Sequence, residues 1–160
     1  MLVIINPQAG GGTAMRKWRS VGAGLLPGAA VAHGESTSEL IGEALGRGEE
    51  TFIAAGGDGT VNVLVNALLP QLTEDLRERV CIGAVGLGSS NDFHKPFQAK
   101  EFFDGIPIKI DRERAYRRDV GLLAISHEGR SVIRHFLVNA SIGATAESNA
   151  FFNNPDRLLA

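Results

Sequence analysis

A single cysteine, Cys81, stands among the 160 residues. Without a second thiol the chain forms no internal disulfide. Its apolar setting, VCIGAV, predicts a buried and unreactive side chain. Such sparing use of cysteine suits a reducing compartment, so cytoplasm is the expected location. Long apolar runs are missing as well, and none approaches the ~18 residues that a spanning helix needs. The opening MLVIIN has no basic n-region, so it does not read as a secretory signal. Any membrane contact is therefore expected to be peripheral. An excess of positive charge is also lacking. The net charge of −2 excludes the strongly basic composition of a nucleic-acid-binding protein, and no nucleic-acid partner is expected. The four histidines, His33, His94, His127 and His135, are scattered without metal-ligand spacing.

Glycine is abundant, with 20 residues, about one in eight. Much of it clusters directly after apolar runs, where it predicts working loops. Leu2 to Ile5 reads as a buried strand ending at Asn6-Pro7, a turn signal. A helix is expected over Thr13 to Leu26, and a short strand over Ala29 to His33. Ser36 to Glu39 offers a capping box for a helix running to about Leu45. TFIAA is a third strand. It is followed by a helix from Thr60 to Leu69 that Pro70 stops, then a short polar helix from Leu72 to Arg79. Val80 to Val85 is a fourth strand. Continuously apolar strands separated by helices predict an α/β fold: a parallel sheet with helices on both faces. In such sheets ligands bind beyond the carboxyl ends of the strands. The glycine loops follow strands one, three and four, so they should gather along one edge.

After Gly105 the pattern becomes strands with short turns and no intervening helix. His127-Glu128-Gly129 reads as a hairpin turn. These features divide the chain into a nucleotide-binding α/β domain over 1–110 and the start of a β-rich second domain over 111–160. Open strands in the second part would expose edges that pair with another copy, so a homodimer is expected. The stretch Asp111 to Asp119 carries four arginines and three acids and reads as a solvated strand face.

The chemistry gathers at Gly56-Gly57-Asp58-Gly59-Thr60. A glycine turn opening a helix presents unpaired backbone N–H groups and the positive end of the helix dipole, which together favour phosphate. Gly56 and Gly57 permit close approach, and Gly59 is expected at positive φ. Thr60 is expected to cap the helix and offer a hydroxyl. Asp58 tolerates a neighbouring phosphate only if a cation bridges the two or if it handles a proton. Gly86 to Phe93 (GLGSSNDF) and Ile5 to Gly12 (INPQAGGG) repeat the strand-to-glycine-loop design. Asp58 and Asp92 are candidates to share a metal, and its ligands stay open at this level.

GGDGTVNVLVNAL and GLGSSNDF resemble the catalytic domain of the diacylglycerol kinase family, bacterial lipid kinases akin to sphingosine and ceramide kinases. The resemblance spreads over most of the chain. RRDVGLL and FLVNASIGATAE are similar to the first strands of that family's second domain. Ser89 stands where the family usually has threonine and keeps its hydroxyl. Gly86-Leu87 replaces Pro-Leu, and Ala144-Thr145-Ala146 departs from the usual continuation. The resemblance implies ATP and Mg2+ as cofactors and a lipid hydroxyl, such as that of diacylglycerol, as acceptor at the inner membrane surface. It implies that Gly56, Gly57 and Gly59 cradle the phosphates and that Thr60 donates to them. Val61 and Asn62 complete that motif. Asn6, Pro7, Gln8, Ala9, Gly10, Thr37 and Ser89 would line the nucleotide. Asp58 would orient the metal or the acceptor hydroxyl, with Asn91 and Asp92 supporting its loop. It also implies that the catalytic base and most of the lipid pocket lie outside these residues, making the chain a fragment that is inactive alone. Two other readings stay open: an NAD kinase-like enzyme, which shares the glycine–aspartate turn, and a non-catalytic nucleotide-binding remnant.

Overall fold

The computed structural model describes residues 1–32 and 36–152. His33, the last residue of the expected second strand, and 153–160 of the expected second domain lie outside the described residues. Four strands run parallel: β1 (Leu2–Ile5), β2 (Ala30–Ala32), β3 (Thr51–Gly56) and β4 (Cys81–Gly86). Two antiparallel strands, β5 (Phe102–Phe103) and β6 (Ile106–Lys109), complete a six-stranded sheet in the order β2-β1-β3-β4-β6-β5.

The helices are α1 (Ala9–Gly12), a single turn; α2 (Ala14–Leu25); α3 (Thr37–Gly46); α4 (Asp58–Leu68); α5 (Glu74–Arg79); and α6 (Ala144–Phe152). Side chains of a strand alternate between faces, and the core divides accordingly. Leu2, Ile4, Phe52 and Ala54 meet Ile41 and Ala44 of α3 and Val61, Leu64, Val65 and Leu68 of α4. Val3, Ile5, Ile53 and Ala55 face the other way, with Ala14, Trp18 and Val21 of α2. Each fully buried aliphatic or aromatic side chain of this kind contributes about 1.5–3 kcal/mol. The alternation explains why every residue of β1 is buried, and the expected parallel sheet with helices on both faces is what the chain adopts.

A hairpin of β7 (Gly121–His127) and β8 (Arg130–Phe136) forms its own two-stranded sheet. Its turn uses Glu128 and Gly129, both at positive φ, as the sequence suggested. The hairpin docks on α4 through asparagine. Asn66 Nδ2 donates to the His135 carbonyl at 2.8 Å, and the His135 amide donates back to Asn66 Oδ1 at 2.8 Å. Asn62 Nδ2 adds a bond to the same carbonyl at 3.0 Å.

Several expectations change. Ala144 to Glu147, likened to part of a strand of the second domain, lie instead in α6, which follows Gly143 at φ +68. The capping box does not form: Ser36 closes the first turn of α3 through its carbonyl, to which Leu40 N donates, and its hydroxyl makes no cap. The side-chain cap is made at α5 instead, where Thr73 accepts from Leu76 N. Cys81 is half-buried, since it opens β4 at the end of the sheet. Among the described residues no helix is long and apolar enough to cross a membrane.

Candidate active site at the carboxyl edge of the sheet

The registers place Ile5 beside Ala55 and Gly56 beside Gly86, so the loops after β1, β3 and β4 leave the sheet side by side. Between β1 and β3 the following helices go to opposite faces, α2 to one and α4 to the other. That divergence is where open α/β sheets form their ligand crevice.

The loops are bonded to one another. The Gly56 carbonyl accepts from Leu87 N at 2.8 Å and from Gly88 N at 3.2 Å. A methyl group added at Gly88 would stand 2.5 Å from Gly57 Cα, and one at Gly10 would stand 2.5 Å from the Leu87 carbonyl oxygen. Glycine at these points lets three backbones meet. Asn6 secures the first loop: its amide donates to Ala55 O (3.1 Å) and its side-chain oxygen accepts from Gln8 N (3.0 Å). Gly10, Gly11 and Gly12 then follow at positive φ, turning the chain into α2.

α4 begins at Asp58, with Gly57 as its N-cap. Thr60 is therefore not the cap. It is the third helical residue, 4% exposed, and its Oγ1 is buried without a hydrogen-bond partner. Gly59 is helical rather than at positive φ, and a methyl group there would meet nothing within 4 Å. Thr60 N and Val61 N both donate to the Gly57 carbonyl. Among the described residues this leaves the amides of Asp58 and Gly59 open at the positive end of the helix.

Asp58 Oδ1 accepts from Phe93 N at 2.9 Å, which joins the second glycine loop to the third. Its second oxygen makes no hydrogen bond among the described residues. Asn91, at φ +53, pins its own loop: its Oδ1 accepts from Gly88 N (3.1 Å) and its Nδ2 donates to Gly88 O (3.1 Å). Asp92 engages Lys95 (2.6 Å) and Ser90 (3.0 Å), whose bonds hold its carboxyl below the usual range. Among the described residues no group of three or more His, Cys, Asp or Glu assembles to hold a metal.

The remaining candidates distribute as follows. Ser89 is exposed on the loop. Val61 is 4% exposed and faces the core. Asn62 is engaged with His135. Pro7, Gln8 and Ala9 lie in the first loop and its single turn. Thr37 opens α3, beyond β2 at the sheet margin.

Two residues beside the site escaped the sequence reading. His94 is 3% exposed, its ring edge-on to Phe93 at 5.8 Å. Burial, and then the Lys109 charge, lower its pKa to about 4, with Asp58 opposing the shift. Lys109, on β6, reaches Phe93 O at 3.4 Å. His94 follows Asn91-Asp92 by only two positions, a signal that its lack of metal spacing concealed. Lys109 is the one charged residue of the strand-like run IPIKI.

The model of the diacylglycerol kinase catalytic domain matches residues 1–123, which include all three loops. The chain belongs to that family. A relative named "Probable lipid kinase YegS-like" from Yersinia pestis (strain Pestoides F) is 30% identical over 129 residues, covering 80% of this chain and 39% of that protein. A relative of the same name from Enterobacter sp. (strain 638) is 45% identical over 56 residues, covering 35% of this chain and 18% of that protein. A solved structure described as "a putative diacylglycerol kinase from Bacillus anthracis str. Sterne" is similar over 59% of this chain and 32% of that one, at 28% identity and a TM-score of 0.43. The chain thus spans well under half the length of these two lipid kinase relatives.

Proposed function

We propose that the three loops bind ATP and form the nucleotide site of an ATP-dependent lipid kinase. The reaction would transfer the γ-phosphoryl group to a lipid hydroxyl, such as that of diacylglycerol. The observation that carries this reading is the start of α4. Two open amides and an unobstructed Gly59 stand beside a carboxylate with one oxygen still free, and the buried Thr60 Oγ1, against Gly56, has no hydrogen-bond partner. Phosphoryl transfer asks mainly for positioning and charge neutralisation, and this arrangement offers both.

In this reading Gly56, Gly57 and Gly59 allow the phosphates to approach. Asn6, Pro7, Gln8, Ala9, Gly10, Thr37 and Ser89 line the nucleotide. Asn91 shapes the third loop by its internal bonds. Magnesium is usually held by one or two carboxylates together with substrate phosphates, and the unengaged oxygen of Asp58 suits that role. The ion would neutralise phosphate charge, while Asp58 orients it or the acceptor hydroxyl. The boundary between the nucleotide domain and the second domain is placed near Asp111. The enzyme would work as a peripheral protein at the inner membrane surface. The exposed side chains of Leu122, Ile125, Val132 and Ile133 on the hairpin suit contact with a second copy.

A calorimetric titration of ATP, with and without magnesium, tests the site directly. Saturable binding that strengthens with magnesium is expected. Absence of binding under both conditions would overturn the nucleotide assignment.

A further inference from the structure

The backbone of Phe93 is gripped on both sides of its Cα. Its N–H donates to Asp58 Oδ1 at 2.9 Å, and its carbonyl accepts from Lys109 Nζ at 3.4 Å. The Lys109 ammonium also lies 6.0 Å from the centre of the Phe93 ring. These contacts join three separate elements: the first residue of α4, the turn Asp92–His94 and strand β6. The turn is wedged from beneath by His94, 3% exposed, which packs against Gly86 and edge-on to Phe93. β6 is itself fixed to the site, since Ile108 pairs with Val85 and Lys109 with Ala84.

We infer that Lys109 is a positioning residue for the site, holding the Phe93 carbonyl so that the N–H of the same residue stays in place to fix the carboxylate of Asp58. The inference rests on the nucleotide reading above and adds to it a residue on a different strand. Lys109 acts through the Phe93 backbone, where the N–H on one side of the Cα meets a carboxylate and the carbonyl on the other side meets an ammonium. Without it the Phe93 carbonyl loses its ionic partner and the turn is held at one end only. Asp58 then exchanges an anchored oxygen for a loose one. A lysine suits this place because its apolar stem can lie along Phe93 while the ammonium reaches the carbonyl.

The test compares wild type, Lys109→Met and Lys109→Arg. Amide hydrogen exchange at Phe93 is measured without nucleotide, and ATP affinity is measured with magnesium. Lys109→Met keeps the stem and removes the charge. It should speed exchange at Phe93 by about tenfold and weaken ATP–magnesium binding several-fold, and Lys109→Arg should restore most of both. In an Asp58→Asn background the Lys109→Met effect on affinity should shrink to near nothing, as coupled residues require. Unchanged exchange at Phe93, or effects on affinity that simply add, would overturn the inference. Failure of the wild type to bind ATP is a different result. It sinks the nucleotide reading, and with it any ligand role for Lys109, while exchange at Phe93 still decides whether the grip exists.

Discussion

The contact between Gly57 and Gly88 separates two kinds of glycine at one site. A methyl group at Gly88 would stand 2.5 Å from Gly57 Cα and 3.1 Å from Gly57 N, where ordinary contacts begin near 3.4 Å. Both Gly57 atoms are backbone and cannot swing aside, and Asn91 Oδ1, also 3.1 Å away, is held by its bond from Gly88 N. The third loop must move by roughly an ångström, and overpacking of this kind costs about 1–3 kcal/mol. Gly59 sits one helical position beyond Asp58, with nothing within 4 Å of a methyl group there. Its helical backbone favours alanine by about 0.5–1 kcal/mol. Gly88→Ala should therefore lower the melting temperature by several degrees, at roughly 2–4 °C per kcal/mol for a domain of this size. Gly59→Ala should leave it unchanged or raise it. Ligand binding should not follow stability. Gly59→Ala places a methyl group beside the open amides and should weaken ATP binding although the fold is sound. Thermal unfolding of both variants, paired with ATP titration, reads all four quantities. If Gly88→Ala proves as stable as wild type, or Gly59→Ala clearly less so, the division between structural and ligand-facing glycines is wrong.

Further predictions concern single side chains. Asp58→Asn keeps an oxygen that can accept from Phe93 N, so stability should barely change, while phosphoryl transfer should fall by orders of magnitude; near wild-type turnover would refute the role of Asp58. His94 has a folded pKa of about 4 against an ordinary 6.5, so the unfolded chain takes up its proton first as pH falls. Its contribution should be complete above pH 6.5 and disappear between there and pH 4, on the order of 3 kcal/mol in all. Urea midpoints across that range should flatten in His94→Gln. Asn66→Ala removes both bonds to the His135 backbone and should cost about 1–3 kcal/mol, seen as faster exchange of the His135 amide. Ile133→Lys on the exposed hairpin face should reduce any concentration-dependent association measured by sedimentation.

The sheet was legible because its signal is dense. Four apolar runs, each closed by glycine or a turn signal, admit few arrangements other than parallel strands with helices between them. The meeting of the glycine loops followed from that topology alone. Details that depend on atomic spacing were not legible. Gly59 at positive φ was a fair expectation from glycine chemistry, but the helix starts one residue before it and absorbs it. Thr60 was displaced from the cap position for the same reason. Asp58 and Asp92 look alike in sequence, yet one faces Phe93 N and the other Lys95, because Asn91 turns the chain left-handed between Gly88 and Asp92. Lys109 and His94 were missed because their importance comes from β6 folding back beside β4. No local pattern announces that reversal.

The segment leaving β6 has a practical consequence for cutting the molecule in two. Arg112 is strapped to Glu50 at 2.6 Å, and Glu50 also holds Arg79 at 2.8 Å. The hairpin is fastened separately, by Asn62 and Asn66 on α4. Between these attachments runs an exposed stretch around Tyr116 and Arg118, tied to α5 by an ion pair of Arg117 with Glu78. A break there severs the backbone while leaving each side its own handle. The piece ending near Arg114 keeps the six-stranded sheet and the asparagines, and the piece beginning near Val120 brings the strand they recognise. Co-expressed as two such pieces, the protein should reassemble, with the side-chain amides of Asn62 and Asn66 as the docking key, and Asn66→Ala should weaken that reassembly in a pull-down.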